Sequence, residues 1–195
     1  MGKGGDTVEA MNQGGSNQNI IYLAEKHLTQ LRIDDWLQHD LFTWQWWVLV
    51  VLLILPWFLW WRYTDKKRLQ EIFIVGLLVF IFSAYLDAVL SELGLWHYHY
   101  WVLPVWPRLI AADFAIIPVC YMLVYQKYRS WPSYTVALAI MAFILAVPTE
   151  IIMIWADVFE MHGWKHIYGV PIFFAMGILV RWIAQTLVKK QAQAF

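Results

Sequence analysis

Residues 72–90 read IFIVGLLVFIFSAYLDAVL, a run whose only charged side chain is Asp87. An α-helix rises about 1.5 Å per residue, so roughly 20 such residues cross the ~30 Å hydrocarbon layer of a bilayer. Four further stretches share this character, 44–61, 109–125, 134–156 and 167–187, with short polar loops between them. None shows the strict alternation of a half-buried strand. Inside a bilayer only helices and closed barrels satisfy every backbone donor and acceptor. The sequence therefore predicts an all-α fold: an integral membrane bundle of five transmembrane helices, preceded by an N-terminal amphipathic helix.

Composition agrees with that reading. Of 195 residues 61% are hydrophobic and 14% charged, too apolar for a disordered chain or an ordinary water-soluble domain. Lys plus Arg and Asp plus Glu number 14 each, so there is no basic excess to hold nucleic acid. A single cysteine, Cys120, excludes an intrachain disulfide framework and a thiolate-rich zinc module. In the third stretch it reads as a small packing residue. Many of the 14 tryptophans stand near predicted helix ends, among them Trp44, Trp46, Trp47, Trp60, Trp61, Trp96, Trp131 and Trp164, where an indole favours the headgroup layer as part of an aromatic belt. Pro56, Pro118 and Pro148 are expected to kink their helices.

Residues 1–19 hold five glycines and read as a flexible polar tail, with no secretory signal pattern. Over 20–43, Ile20, Ile21, Ala24, Leu28 and Leu31 recur at helical spacing between polar residues, an amphipathic helix for the membrane interface or for packing on the bundle or a partner. Residues 1–42 are thus a candidate protein-docking segment. Basic residues follow the first stretch (Arg62, Lys66, Lys67, Arg68), the third (Lys127, Arg129) and the fifth (Lys189, Lys190). The positive-inside rule puts those loops and the C-terminus in the cytoplasm and the N-terminus outside the cell membrane. All six histidines and every acidic residue except Asp65 and Glu71 then fall on the outer side.

Two helix exits on that side resemble each other. Glu92, Trp96, Tyr100 and Pro104 repeat the order of Glu160, Trp164, Tyr168 and Pro171, with Asp87 and Asp157 ahead of the two glutamates. The pattern is either an internal repeat of two hairpins, their outer loops packed together, or the common composition of helices leaving a bilayer.

The stretch 87–126, with its Leu-Gly-Leu-Trp-His-Tyr loop, Asp113, Pro118 and Tyr-Gln ending, resembles an uncharacterised multi-pass membrane protein family of spore-forming Firmicutes. Pro148, Glu150 and the segment 164–171 extend the likeness over roughly the last 150 residues. That resemblance implies a multi-pass membrane protein and brings no activity with it. A weaker similarity is to the lycopene cyclase domain family, through Asp87, Gly94, Trp96 and Tyr98; the paired glutamates of that family are missing, with Asp113 and Pro118 near their place in the opposite order.

Asp87, Asp113 and Glu150 lie inside apolar stretches, where an ionised carboxylate at mid-depth costs about 2.5–3.5 kcal/mol. They must approach the interface, be protonated or find partners. Arg108 is the candidate counter-charge and Tyr85, Tyr121 and Thr149 are candidate donors. One reading makes the acids part of an outer pocket walled by Trp96, Tyr98, Trp164 and Tyr168; another makes them structural interhelical contacts. His97, His99, His162 and His166, with Glu92 and Glu160, are candidate metal ligands by type, or loop residues bonded to headgroups and backbone. His162 and His166 share a face if the fourth helix continues through Gly163.

Three functions follow as expectations. The first is a membrane protein whose aromatic-walled outer-leaflet pocket binds a lipid, isoprenoid or other small ligand through Asp87, Asp113, Glu150 and Arg108. The second is a small membrane enzyme acting on a lipid or isoprenoid substrate, with Glu150 or Asp113 as a catalytic acid kept neutral by apolar surroundings. The third is a structural or assembly subunit of a membrane complex.

Overall fold

The computed structural model describes residues 17–104 and 109–193. Its elements run α1 (Asn17–Asp35), a π-helical turn (Trp36–Asp40), α2 (Trp44–Tyr63), a 3₁₀ turn (Lys66–Arg68), α3 (Leu69–Glu92), β1 (Trp96–Tyr98), a π-helical segment (Ala111–Ile116), α4 (Ile117–Lys127), α5 (Trp131–Ile144), a second π-helical segment (Leu145–Thr149), α6 (Glu150–Trp155), β2 (Phe159–Met161) and α7 (His166–Gln193). Among the described residues four helical runs are long and apolar enough to cross a membrane: Trp44–Tyr63, Lys66–Glu92, Trp131–Trp155 and His166–Gln191. The third expected stretch is helical too, but divides between the first π-helical segment and α4.

Both π-helical segments adjoin a proline. Pro118 begins α4 and Pro148 lies within the second segment. Proline offers no N–H and its ring crowds the carbonyl four residues back, so the chain widens by one residue instead of breaking. At Pro148 the carbonyl four residues back belongs to Ile144, and the Thr149 hydroxyl donates to it at 2.9 Å. Thr149 is therefore a backbone support rather than the carboxylate donor its position suggested.

α4 packs along α3, the first π-helical segment against α2, and α7 against α3, α5 and the second π-helical segment. Ile72, Val79, Met122, Tyr121, Tyr134 and Leu138 are fully buried in the resulting core. Two glycines permit the close approach: a Cβ on Gly76 would stand 2.6 Å from Met122 Sδ, and one on Gly177 2.4 Å from Leu138 Cδ1. Cys120 packs against the margin of this core. The opposite surface is apolar, with Ile54, Phe58, Ile81, Ile140 and Trp182 all exposed, an area of grease that water would not tolerate on a monomer.

Several expectations need correction. The helix at the N-terminus begins by Asn17, inside the stretch read as tail; it is α-helical to Asp35 and continues directly into the π-helical turn that ends at Asp40. Residues 1–16 of the expected tail lie outside the described residues. No residue of α1 is buried, and Ile21, Leu28 and Leu31 remain exposed. The chain is then anchored by Trp36, whose Nε1 donates to the Trp101 carbonyl at 3.0 Å, and restarted by Thr43, which caps α2 by accepting from the Trp46 N–H at 3.2 Å. Among the tryptophans assigned to an interface, Trp44, Trp47, Trp61 and Trp131 are exposed but Trp60 is buried in the core.

The loops collect at two ends. At one, Gln126 Oε1 accepts from the Asp65 N–H at 3.1 Å and the Thr64 hydroxyl at 3.3 Å, joining the basic loop after α2 to the end of α4. At the other, β1 and β2 form an antiparallel pair with Trp96 opposite Met161, His97 opposite Glu160 and Tyr98 opposite Phe159. No strand was expected there, because three residues are too few for a periodicity to register. The two loops that carry the aligned motifs do meet through the β1–β2 pair, but the aligned glutamates differ in setting: Glu92 ends a helix and Glu160 lies within a strand.

Candidate functional site

A cavity of about 140 Å³ lies beneath the β1–β2 pair. Its walls are mainly apolar, but Asp87 from α3, Asp113 from the first π-helical segment and Glu150 from the start of α6 all border it, with Trp96, Tyr98 and Trp164. Three carboxyls from three different helical segments thus share one space.

Each acid is held differently. Asp87 is buried near the end of α3. Its Oδ1 accepts from Trp96 Nε1 at 2.9 Å and from the Tyr98 hydroxyl at 2.5 Å. Residues two apart on a strand share a face, so β1 directs both donors to the same oxygen. Burial, with the Asp87 and Asp113 charges adding to it, pushes the Tyr98 phenol well above its ordinary value, so Tyr98 is a permanent donor. Asp113 is 4% exposed, and its Oδ2 has no hydrogen-bond partner among the described residues. The Ser83 hydroxyl lies 3.4 Å from the Asp113 backbone carbonyl. Glu150 pairs with His166, Oε2 to Nδ1 at 2.8 Å. Gly169, one turn into α7, makes this contact feasible: a Cβ there would stand 2.9 Å from the Ala146 Cβ and 3.6 Å from Glu150 Oε1.

Of the expected pocket residues, Tyr168 stands behind the wall, its ring 5.6 Å edge-on from Trp164, while Trp164 itself meets Trp96 at 5.3 Å. Arg108, the expected counter-charge, lies outside the described residues. Tyr85 points away from the bundle and is exposed. The Tyr121 hydroxyl donates to the Phe173 carbonyl at 2.5 Å, so it too leaves the acids alone.

The histidines divide into two groups. His99 bridges two acids, Nδ1 to Asp157 Oδ1 and Nε2 to Glu160 Oε2, each at 3.1 Å. His162 Nε2 lies 3.7 Å from Glu160 and the His97 ring 5.8 Å from that of His99. Burial lowers the His99 pKa, but the hydrogen bonds from Glu160 and Asp157 outweigh it and the net shift is upward. His166 belongs elsewhere, with Glu150 on the cavity. The expected pairing of His162 with His166 fails because the helix ends at Trp155, the chain passes through β2 and Gly163 at φ 81°, and α7 begins only at His166. Glu92 ends α3, apart from β2. Among the described residues no three His, Cys, Asp or Glu side chains are grouped to hold a metal ion.

Sequence reasoning passed over two residues that the structure brings forward. His166 was read only as a metal candidate; its spacing of 16 residues from Glu150 carries no periodic signal. Arg181 had a clear signal, as the one charged residue within the apolar stretch 167–187, and the rule applied to the buried acids covers it equally.

Together, long apolar helices and a carboxyl-lined internal cavity give the build of a helical, multi-pass membrane protein. The sequence and structure match no family model, no curated protein and no solved structure at a significant level.

Proposed function

We propose that the protein is a five-span cell-membrane protein whose outer-leaflet cavity binds a small or lipid-like molecule, an isoprenoid alcohol or similar amphiphile, with its hydrogen-bond donor end toward the acids. The first π-helical segment with α4 is the additional span, the basic loops face the cytoplasm and α1 lies at the opposite interface. The likeness to the multi-pass family of spore formers belongs to this proposal. The supporting observation is the unpartnered Asp113 Oδ2 in an otherwise apolar cavity bordered by two further acids. A buried acceptor left unpaired costs about 1–3 kcal/mol, and a hydroxyl or ammonium on a ligand removes that cost.

The test is native mass spectrometry of the full chain released from detergent after mild extraction, comparing wild type with Asp113→Leu. A bound amphiphile present in wild type and lost in the variant supports the reading; identical spectra, or no bound species, overturn it. Orientation is read separately by impermeant thiol labelling of Lys67→Cys and Leu103→Cys in a Cys120→Ser background, with only the latter expected to react from outside. Reaction of Lys67→Cys alone reverses the assignment.

The Glu150–His166 pair favours a second reading, an enzyme. A carboxyl and an imidazole in contact at 2.8 Å on a cavity wall can relay a proton to a bound substrate. Cellular lipid profiles unchanged by both Glu150→Gln and loss of the whole protein would dismiss it.

A further inference from the structure

A second cavity, about 320 Å³, opens at the basic end and is bordered by Arg68, Glu71, Tyr125, Arg129, Arg181 and Gln185. Three guanidiniums face one carboxylate, and Asp65, 3.7 Å from Arg129, is the nearest further acid. The site therefore retains positive charge.

Two of its cations are fixed in place. Arg181 is 1% exposed, stacks on Tyr134 at 4.2 Å and Trp131 at 4.6 Å, and donates Nη1 to the Tyr128 carbonyl at 2.9 Å and Nη2 to that of Arg129. Arg68 grips Glu71 with Nε at 2.9 Å and Nη2 at 3.0 Å, and Tyr125 donates its hydroxyl to the same carboxylate. Two buried guanidinium nitrogens are left without partners, Arg181 Nε and Arg68 Nη1. An unpaired charged donor is among the costlier groups to bury. Planar guanidiniums match tetrahedral oxyanions with two-pronged hydrogen bonds, and basic hollows between membrane helices suit phosphate headgroups.

We propose that this cavity is a phosphate site, in which Arg68, Arg129 and Arg181 hold a phosphoryl group supplied by an anionic lipid headgroup or by free phosphate. Arg181 is the preset anchor, since each of its two terminal nitrogens already gives a hydrogen to backbone while Nε gives none among the described residues. Arg129, exposed, closes over the ligand from the loop.

The test uses the full chain in phosphatidylcholine nanodiscs, with phosphatidic acid added to the lipid in one arm and inorganic phosphate added to the buffer in the other. Thermal unfolding and, for the lipid arm, the number of retained lipids by native mass spectrometry are read for wild type and for Arg68→Gln/Arg129→Gln, which leaves the Arg181 contacts to the backbone intact. Wild type is expected to be stabilised and the double variant to bind at least tenfold more weakly, because it loses two of the three guanidiniums that would pair with the phosphoryl oxygens. Stabilisation in the phosphatidic acid arm alone assigns the group to a headgroup; stabilisation in the phosphate arm assigns it to the free ion. The proposal is overturned if neither ligand shifts wild type, or if wild type and variant respond equally.

Discussion

Replacing Asp113 with leucine is expected to make the protein more stable while removing the proposed amphiphile binding. The carboxyl is 4% exposed and its Oδ2 is unpartnered, a state costing about 1–3 kcal/mol when the polar atom is buried dry. Leucine sets two methyls where the two carboxyl oxygens stood, and the neighbouring cavity of about 140 Å³ has room for their greater bulk, so the overpacking that normally opposes such a change does not apply. For a chain of this size 1 kcal/mol corresponds to about 2–4 °C, which places the rise in Tm at roughly 2–12 °C. Asp113→Asn, which keeps a polar group in the same place, should gain less. Wild type and both variants are heated in one detergent, and unfolding is followed through the tryptophan fluorescence. A fall in Tm for Asp113→Leu, of the size seen when one partner of a buried ion pair is removed, about 3–5 kcal/mol, refutes the reasoning. Such a fall would mean that a counter-charge in the chain already holds the acid.

Other perturbations test the surrounding structure. A double-mutant cycle on Glu150→Gln and His166→Gln should return a coupling of about 1–3 kcal/mol, the range for hydrogen bonds to charged groups. Gly177→Ala, whose Cβ would meet Leu138 at 2.4 Å and Tyr121 at 2.9 Å, should cost about 1–3 kcal/mol in thermal unfolding, whereas Gly94→Asn, at φ 73° in open space, should change stability little because asparagine tolerates that conformation. Burial lifts Asp40 from 3.8 to about 6, with the Trp101 backbone N–H opposing, Asp35 adding and His39 opposing. Its protonated form is the one the fold favours, so the stability it contributes is full below pH 3.8 and is lost as pH rises through about 6. Hydrogen exchange around Thr43 should quicken over that window, and Asp40→Asn should flatten the dependence. His99 carries the same sign: its upward shift favours the imidazolium, so the β1–β2 clasp should loosen as pH rises from about 6.5 through the higher folded value, and His99→Gln should abolish the change.

The helical stretches were legible because hydrocarbon thickness sets a length that composition can be read against, and the buried acids because a charge in such a run has few harmless explanations. What remained hidden is tied to the π-helical segments. One extra residue in a turn rotates everything after it by about 100°, so a face drawn with regular helical period through 134–156 no longer predicts where Glu150 points. Its pairing with His166 and the role of Thr149 are consequences of that shift. Trp60 illustrates a different limit, since an indole at a helix end is compatible with an interface and with the core, and only packing against Ile72 and its neighbours decides.

The positions of the two cavities bear on mechanism. One borders the β1–β2 pair and the other the loops joined by Gln126, at opposite ends of the bundle. Between them Met122, Leu138 and Val79 are at 0% exposure, and Gly76 and Gly177 bring the helices too close for a Cβ. The hydroxyls that do reach this middle layer, from Tyr121 and Tyr134, are engaged by the carbonyls of Phe173 and Gly177. A solute crossing from one cavity to the other would have to part α3, α4, α5 and α7 together, leaving the Tyr121 and Tyr134 hydroxyls without their acceptors in hydrocarbon, where each costs several kcal/mol. The architecture thus argues for two separate binding sites on a closed frame and against a conduit. It also predicts that occupying one cavity stiffens the helices lining the other, since α3 and α7 contribute walls to both.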